Sequence, residues 1–200
     1  MVNPIPAIWI PVYGSQKTAL QLDPDEAYGH LARGFALMFL RRFREAETSL
    51  ERAVALNPND PFILSIHALL LNYTGKYEEA LFELEQARRR DPFAVGWFED
   101  FLGIILTNAG RYREALTSFA RMSIPTSWSI VYATICNAEL GEPKLAKAIL
   151  AKIRSSYPQS PNLALDDILK LEVFHEDLTI LDRYRAILRR LESENDLSID

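Results

Sequence analysis

The sequence predicts an all-α fold, an α/α superhelix of about four helix-turn-helix repeats closed by a C-terminal capping helix. Three observations predict it: an alanine-centred pattern recurs, glycines stand where a helix of each repeat should end, and the last apolar stripe has helical spacing. Ala46, Ala80 and Ala115 are 34 and 35 residues apart, and Ala146 follows after 31. A nearly fixed period of this length indicates stacked copies of one small unit rather than a single core around a catalytic cleft.

Each recurrence has the same order of residue types. A bulky apolar residue stands four positions after the alanine, a small or apolar residue three later, and usually a proline five beyond that. The four sets are Ala46, Leu50, Ala53 and Pro58; Ala80, Leu84, Ala87 and Pro92; Ala115, Phe119 and Met122 with an early Pro125; and Ala146, Leu150, Ile153 and Pro158. Because prolines follow the apolar residues at the end of each set, they are expected to mark the exit from the second helix of each repeat.

Two further positions predict how the helices of one repeat meet. A small residue stands twelve positions before each alanine, where two helices must approach closely: Gly34, Ala68, Gly103 and Thr134. Five positions before the alanine stand Gly75, Gly110 and Gly141, with Arg41 in the first copy. Glycine adopts the left-handed conformation of a helix C-terminus at least cost, so these positions predict the tight turn between the two helices.

The predicted elements follow in order along the chain. Residues 1–15 form an apolar arm that three prolines keep extended, and residues 16–160 hold a half-repeat at 16–25 and repeats at about 26–59, 60–93, 94–126 and 127–160. Residues 161–195 form a helical cap. Its apolar stripe is Leu178, Leu181, Tyr184, Ile187, Leu188 and Leu191. The arm is expected to dock on the open first end or on the groove described below, in its own chain or in a second protomer of a homodimer.

These residues resemble the tetratricopeptide repeat, whose small-residue, alanine, aromatic and terminal-proline positions they match. The tryptophan and leucine that open the family pattern are mostly missing. The resemblance implies a protein-binding scaffold, in which the first helices of the repeats line a concave groove. A carboxylate clamp of the chaperone-tail type is not expected, because apolar residues such as Leu31, Ile66 and Phe101 stand where that clamp needs lysine, asparagine or arginine.

A finer resemblance covers roughly residues 16 to 190. The segments LNPNDPF, GKYEEAL, RRDPFAVGWF, GRYREAL and AELGEPKLAKAIL resemble the repeat regions of certain bacterial class III adenylate cyclases and winged-helix transcription regulators. The catalytic and DNA-reading residues of those proteins have no counterpart positions here. The resemblance implies a bacterial chain that is the remnant of a sensory regulator, separated from its effector domain. The alternative is that the first residue of the sequence reflects only a choice of where the sequence starts.

Composition and charge favour a cytoplasmic protein that binds neither nucleic acid nor membrane. The net charge of −5 argues against non-specific nucleic-acid binding, which needs a basic face. A single cysteine excludes an intrachain disulfide and suits a reducing compartment. The sequence has no run of 18 apolar residues, so no membrane span is predicted.

The sequence offers little catalytic or metal-binding chemistry. His30, His67 and His175 lie in different segments without a second ligand at helical spacing, so we expect no metal, no cofactor and no catalytic residue. Cys136 is expected to be a small buried residue. The carboxylate pairs Glu78-Glu79, Glu99-Asp100 and Asp166-Asp167 are expected to lie on solvated helix faces.

The most informative predicted surface is the face that the first helices turn to the groove. It carries nine aromatic residues: Tyr28, Phe35, Phe39, Phe62, Tyr73, Trp97, Phe101, Trp128 and Tyr132. An exposed apolar strip of that size usually marks an interface, although half of such residues could instead be core. We therefore predict a non-catalytic module that binds a hydrophobic segment of a protein or peptide partner. The alternatives are a small-molecule or peptide sensor and, third, an enzyme.

Overall fold

The computed structural model describes residues 23–93, 96–156 and 175–193, apart from the side chains of residues 127, 152–156 and 192. Within these ranges the chain forms nine α-helices and no strand. They are α1 (Ala27–Phe39), α2 (Phe43–Leu56), α3 (Pro61–Tyr73), α4 (Tyr77–Arg90), α5 (Gly96–Asn108), α6 (Tyr112–Phe119), α7 (Ser127–Glu139), α8 (Pro143–Ser156) and α9 (Thr179–Ser193). The predicted arm 1–15, most of the half-repeat 16–25 and residues 157–174 lie outside the described residues.

The chain divides into two compact units, Met1–Phe93 and Ala94–Asp200. In the first unit α1 packs on α2, α3 packs on α4, and α2 joins the two pairs through α3. In the second unit α5 packs on α6 and α7 on α8, α7 also contacts α5 and α6, and α9 lies against α7 and α8. Each pair is one helix-turn-helix repeat, because its two helices are consecutive and their mutual packing is the most extensive in the unit.

The turns inside the repeats have the predicted left-handed residue. Gly75, Gly110 and Gly141 have φ of 82°, 76° and 77°, and Arg41 has φ of 57° at the same place in the first repeat. The residue after each one donates its backbone N–H to a carbonyl five residues earlier, as Lys76 does to Leu71 at 2.8 Å. This is the hydrogen bond of a Schellman motif, which satisfies a carbonyl that the helix end leaves without a partner.

The small residues at the helix crossings are buried because a larger side chain stands directly opposite. A Cβ added to Gly34 would lie 2.5 Å from Leu50 Cγ, and one added to Gly103 would lie 2.1 Å from Phe119 Cε1. The repeat alanines Ala46, Ala80, Ala115 and Ala146 are all 0% exposed. The predicted register of the four repeats is therefore the one in which their helices pack, and the predicted all-α fold class is confirmed.

Candidate functional site

The first helices α1, α3 and α7 begin at side-chain caps, which fix where their aromatic residues fall. At α3, Asp60 Oδ1 accepts hydrogen bonds from the backbone N–H groups of Phe62 and Ile63 at 2.9 and 3.1 Å. At α7, Thr126 Oγ1 accepts one from Ser129 at 3.0 Å. Such caps satisfy the orphan N–H groups of a first turn. They set the helical phase of every later residue, including those of the predicted binding face.

In the first unit, four of the nine predicted aromatic residues retain exposed surface. Tyr28 and Phe62 are 49% and 41% exposed. Phe35 and Phe39 are half-buried, with ring centroids 5.3 Å apart in an edge-to-face arrangement. The Tyr28 hydroxyl donates to Asp60 Oδ2 at 2.7 Å, and this hydrogen bond raises the pKa of Tyr28. The bond joins the N-termini of α1 and α3, so the two exposed rings are held at neighbouring helix starts.

The fifth predicted residue of this unit lies in the core. Tyr73 ends α3 and is 5% exposed, so it offers almost no surface to a partner. The sequence could not distinguish it from Phe62 on the same helix, because both fit the expected spacing of the first-helix face.

In the second unit, Trp97 and Phe101 form a pair of rings on the first turns of α5. Their centroids are 5.7 Å apart and their planes are tilted by 57°. Both are half-buried, as is Trp128 at the start of α7. Aromatic rings of this size supply large apolar contact areas at interfaces. Of the aromatic residues predicted for this unit, these three keep accessible surface.

The capping helix α9 covers the remaining predicted aromatic residue. Tyr132 is 1% exposed, and its ring meets that of Tyr184 edge to face, with centroids 5.9 Å apart. The Tyr184 hydroxyl donates to Asn108 Oδ1 at 2.7 Å, and Arg183 Nε donates to Glu139 Oε1 at 2.8 Å. The sequence showed the apolar stripe of this helix but not where the stripe would sit. Tyr184 of the stripe packs on residues of the first-helix face of the third and fourth repeats, whereas Leu178 precedes α9 and is 49% exposed.

The expectation that Glu99 and Asp100 lie on a solvated helix face is wrong. Glu99 and Asp100 are 7% and 6% exposed, whereas Glu78 and Glu79 are exposed as expected. Glu99 Oε2 accepts a hydrogen bond from the Ser118 hydroxyl at 2.5 Å, and Arg121 lies 3.5 Å from Glu99 Oε1. Both acids sit where α5 meets neighbouring helices, so helix packing removes them from water. Asp166-Asp167 lies outside the described residues.

Asp100 has fewer partners than Glu99. The Thr126 hydroxyl donates to Asp100 Oδ2 at 2.8 Å, while Asp100 Oδ1 is enclosed and has no hydrogen-bond partner in the described part of the chain. Burial raises the pKa of the Asp100 carboxyl to about 6, against the lowering effect of the Thr126 hydrogen bond. No sequence pattern indicates this burial, because a carboxylate next to another carboxylate usually faces water.

Cys136 is the buried residue that the sequence predicts. Its side chain is 0% exposed, and its Sγ lies 3.2 Å from Thr107 Oγ1. Burial raises the pKa of the thiol to about 12, so it stays protonated at neutral pH. A buried thiol in this state is a packing residue rather than a nucleophile.

A cleft lies on the first unit, between α2, α3 and α4. This cleft encloses about 650 Å³. Phe82, at its rim, is 69% exposed, and His67 Nδ1 lies 2.8 Å from both carboxylate oxygens of Glu83. The cleft is lined mainly by the acidic and apolar residues Glu47, Glu51, Leu64, Leu71, Glu78, Glu79 and Glu83, with Lys76 paired to Glu47 at 2.8 Å. No sequence pattern had indicated it, since its residues come from three helices.

The described ranges contain no group of three or more histidine, cysteine, aspartate or glutamate residues placed to hold a metal ion. In the same ranges, no helix combines the length and apolar character that crossing a bilayer would require.

Tetratricopeptide repeat models match the chain over residues 27–60 and 129–160. The small glutamine-rich tetratricopeptide repeat-containing protein 2 of Mycosarcoma maydis is 30% identical over 90 residues, which are 45% of this chain and 25% of that protein. The chain thus spans about a quarter of the length of that relative. Neither matching family model describes a catalytic family, and tetratricopeptide repeat proteins generally mediate interactions between proteins.

Solved structures of tetratricopeptide repeat proteins share the fold. YrrB, a protein with an unusual peptide-binding site, superposes with a TM-score of 0.53 at 15% identity over 86% of this chain and 98% of its own. A repeat protein from Parabacteroides merdae gives 0.58 at 16% identity, over 96% of this chain and 74% of its own. Yeast Tom70 superposes with a TM-score of 0.54 at 15% identity, over 99% of this chain and 46% of its own. At these identities the likeness establishes the fold of tetratricopeptide repeats and nothing finer.

Proposed function

We propose that this chain is a non-catalytic interaction module that binds an apolar segment of a protein partner through the first-helix face. The observation that carries the proposal is the recurrence of accessible aromatic rings on the first helices of all four repeats. These rings are Tyr28, Phe35, Phe39, Phe62, Trp97, Phe101 and Trp128. The two buried residues of the predicted set, Tyr73 and Tyr132, support the helices from within.

Within the described residues the second helices carry fewer accessible aromatic rings, three against seven, which favours the first-helix face; the three are Tyr77, Phe82 and Tyr112. The residues at the repeat positions of the second helices, such as Leu50, Leu84 and Phe119, are buried against the first helix of the same repeat. Interfaces concentrate their binding free energy in a few large aromatic side chains. YrrB, which shares the fold, has an unusual peptide-binding site, and this is consistent with the proposed use of the fold. A role as the remnant of a bacterial sensory regulator, located in the cytoplasm, stays a prediction from the finer resemblance, as does a homodimer.

Selection of displayed random dodecapeptides on the purified chain tests the proposal. We expect enriched peptides rich in apolar residues, whose affinity falls at least tenfold when Trp97→Ala and Phe101→Ala are combined, because each lost ring removes a contact worth more than 1 kcal/mol. Phe93→Ala is the matched control, since Phe93 is 88% exposed and lies between α4 and α5, off the first-helix face. The proposal fails if no peptide is enriched, or if enriched peptides bind the double variant as well as the parent.

A further inference from the structure

The first-helix face holds one acid where the other repeats have a neutral residue. Fifteen positions before the repeat alanine stand Leu31, Ser65, Asp100 and Val131. All four are buried, and only Asp100 is ionisable. The third repeat therefore differs from its neighbours in charge at a position that otherwise contributes neutral packing.

Only one oxygen of the Asp100 carboxyl group accepts a hydrogen bond within the described residues. Its Oδ2 accepts a hydrogen bond from Thr126, the capping residue of α7, whereas the enclosed Oδ1 has no donor within the described residues. No lysine or arginine forms an ion pair with it in these residues. A buried charge normally requires both a counter-charge and full hydrogen bonding, because neither water nor bulk dielectric offsets its desolvation.

Two aromatic rings stand on the same side of α5 as this carboxyl. Asp100 follows Trp97 by three positions, and Phe101 follows Trp97 by four. The three side chains therefore share one face of the helix. The rings are tilted by 57° with centroids 5.7 Å apart, and both keep partial exposure. A cation is attracted to the faces of such rings as well as to a carboxylate.

We infer that Asp100, Trp97 and Phe101 form the binding site for one lysine side chain of the partner segment. The ammonium group donates to Oδ1, and the aliphatic stem lies along the two rings. A lysine fits better than an arginine because Thr126 occupies Oδ2, which leaves a single oxygen where a guanidinium would need two. Because Oδ1 is enclosed, the ammonium group reaches it only when side chains that cover it change rotamer.

The inference rests on the proposed function and makes it specific: the partner segment is apolar with one lysine opposite the third repeat. The raised pKa of Asp100 agrees with it, since a bound ammonium would supply the counter-charge that the free protein lacks. Leu31, Ser65 and Val131 offer no counterpart, so a single cation is expected per chain.

Titration with two near-isosteric probes tests the site. The probes are n-butylammonium chloride, which mimics the lysine side chain, and 1-butanol, which is neutral; the readout is the side-chain carbonyl ¹³C signal of residue 100 in the labelled protein. We expect butylammonium to shift this signal saturably, to bind about tenfold more tightly than butanol, and to lower the pKa of Asp100. The change Asp100→Asn should abolish the preference while keeping an acceptor for Thr126. Asp182→Asn, at an exposed site on α9, should leave it unchanged.

The outcomes separate the two proposals. Butanol binding without a preference for butylammonium would overturn the lysine site and leave the apolar first-helix face standing. An equal preference in the Asp100→Asn protein would also overturn the lysine site. Failure of both probes to bind would count against both proposals. The pKa measurement on the parent protein does not depend on how well the variant folds.

Discussion

At the scale of single residues, burial and charge rather than residue type decide which side chains serve the fold and which serve a surface. Tyr28 and Tyr73 are both tyrosines of first helices, yet one is 49% exposed and the other 5%. Acidic residues differ in the same way. Asp100 is buried and one of its oxygens lacks a donor within the described residues, whereas Glu78 is exposed to solvent. Asp100 thus carries a cost in the free protein that should be measurable in its pH dependence.

The contribution of Asp100 to stability should fall as pH rises from about 4 to about 6. The pKa of Asp100 is raised from 3.8 to about 6, so between these values its folded form keeps a proton that the unfolded form has released. The stability of the parent relative to Asp100→Asn therefore declines through this window and levels off above it, by at most about 3 kcal/mol at 1.36 kcal/mol per pKa unit. Denaturant unfolding at several pH values, compared with Asp100→Asn, checks this. A difference between the two proteins that does not change from pH 4 to pH 7 would refute it.

At the scale of the helix pair, stability depends on close approach at the crossing points. Ring atoms of Phe119 stand where a Cβ on Gly103 would lie, and the side chain of Leu50 does the same at Gly34. The close approach lets the larger side chain of the second helix fill the interface. It is the physical reason why a small residue recurs twelve positions before the repeat alanine.

Replacing one glycine of α5 should destabilise the protein, and replacing another should not. Gly103→Ala forces the Phe119 ring to move and should cost about 1–3 kcal/mol through overpacking. Gly96→Ala is the control on the same helix, since a Cβ there meets nothing within 4 Å, and it should stabilise by up to about 1 kcal/mol. Thermal unfolding of both variants measures the difference. Equal melting temperatures would mean that the crossing at Gly103 is not close.

Local patterns of the sequence predicted the repeats well, because each pattern has one local cause. The left-handed turns, including the one at Arg41, follow from a fixed distance to the repeat alanine. The aromatic face was predicted less completely. Tyr132 fits its spacing but is covered by Tyr184 of a helix some fifty residues away, and no local pattern encodes that contact. Asp100 was missed for a similar reason, since its burial comes from packing between helices.

At the scale of the whole molecule, each compact unit presents its own part of the first-helix face. The first unit offers Tyr28, Phe35, Phe39 and Phe62, and the second offers Trp97, Phe101 and Trp128. The capping helix α9 covers Tyr132 with the ring of Tyr184, and its Arg183 donates to Glu139 at the end of α7. Under the proposed function the first helices contact the partner, whereas the repeat positions of the second helices pack internally.

Hydrogen exchange of the chain with and without a selected dodecapeptide tests this division most directly. Amide protection should rise mainly in the first helices α1, α3, α5 and α7, because contacts there suppress local opening of the bound face. The second helices α2, α4, α6 and α8 should change little. If the added protection falls instead on the second helices, or on the acidic cleft around Phe82, the first-helix face is not where the partner binds.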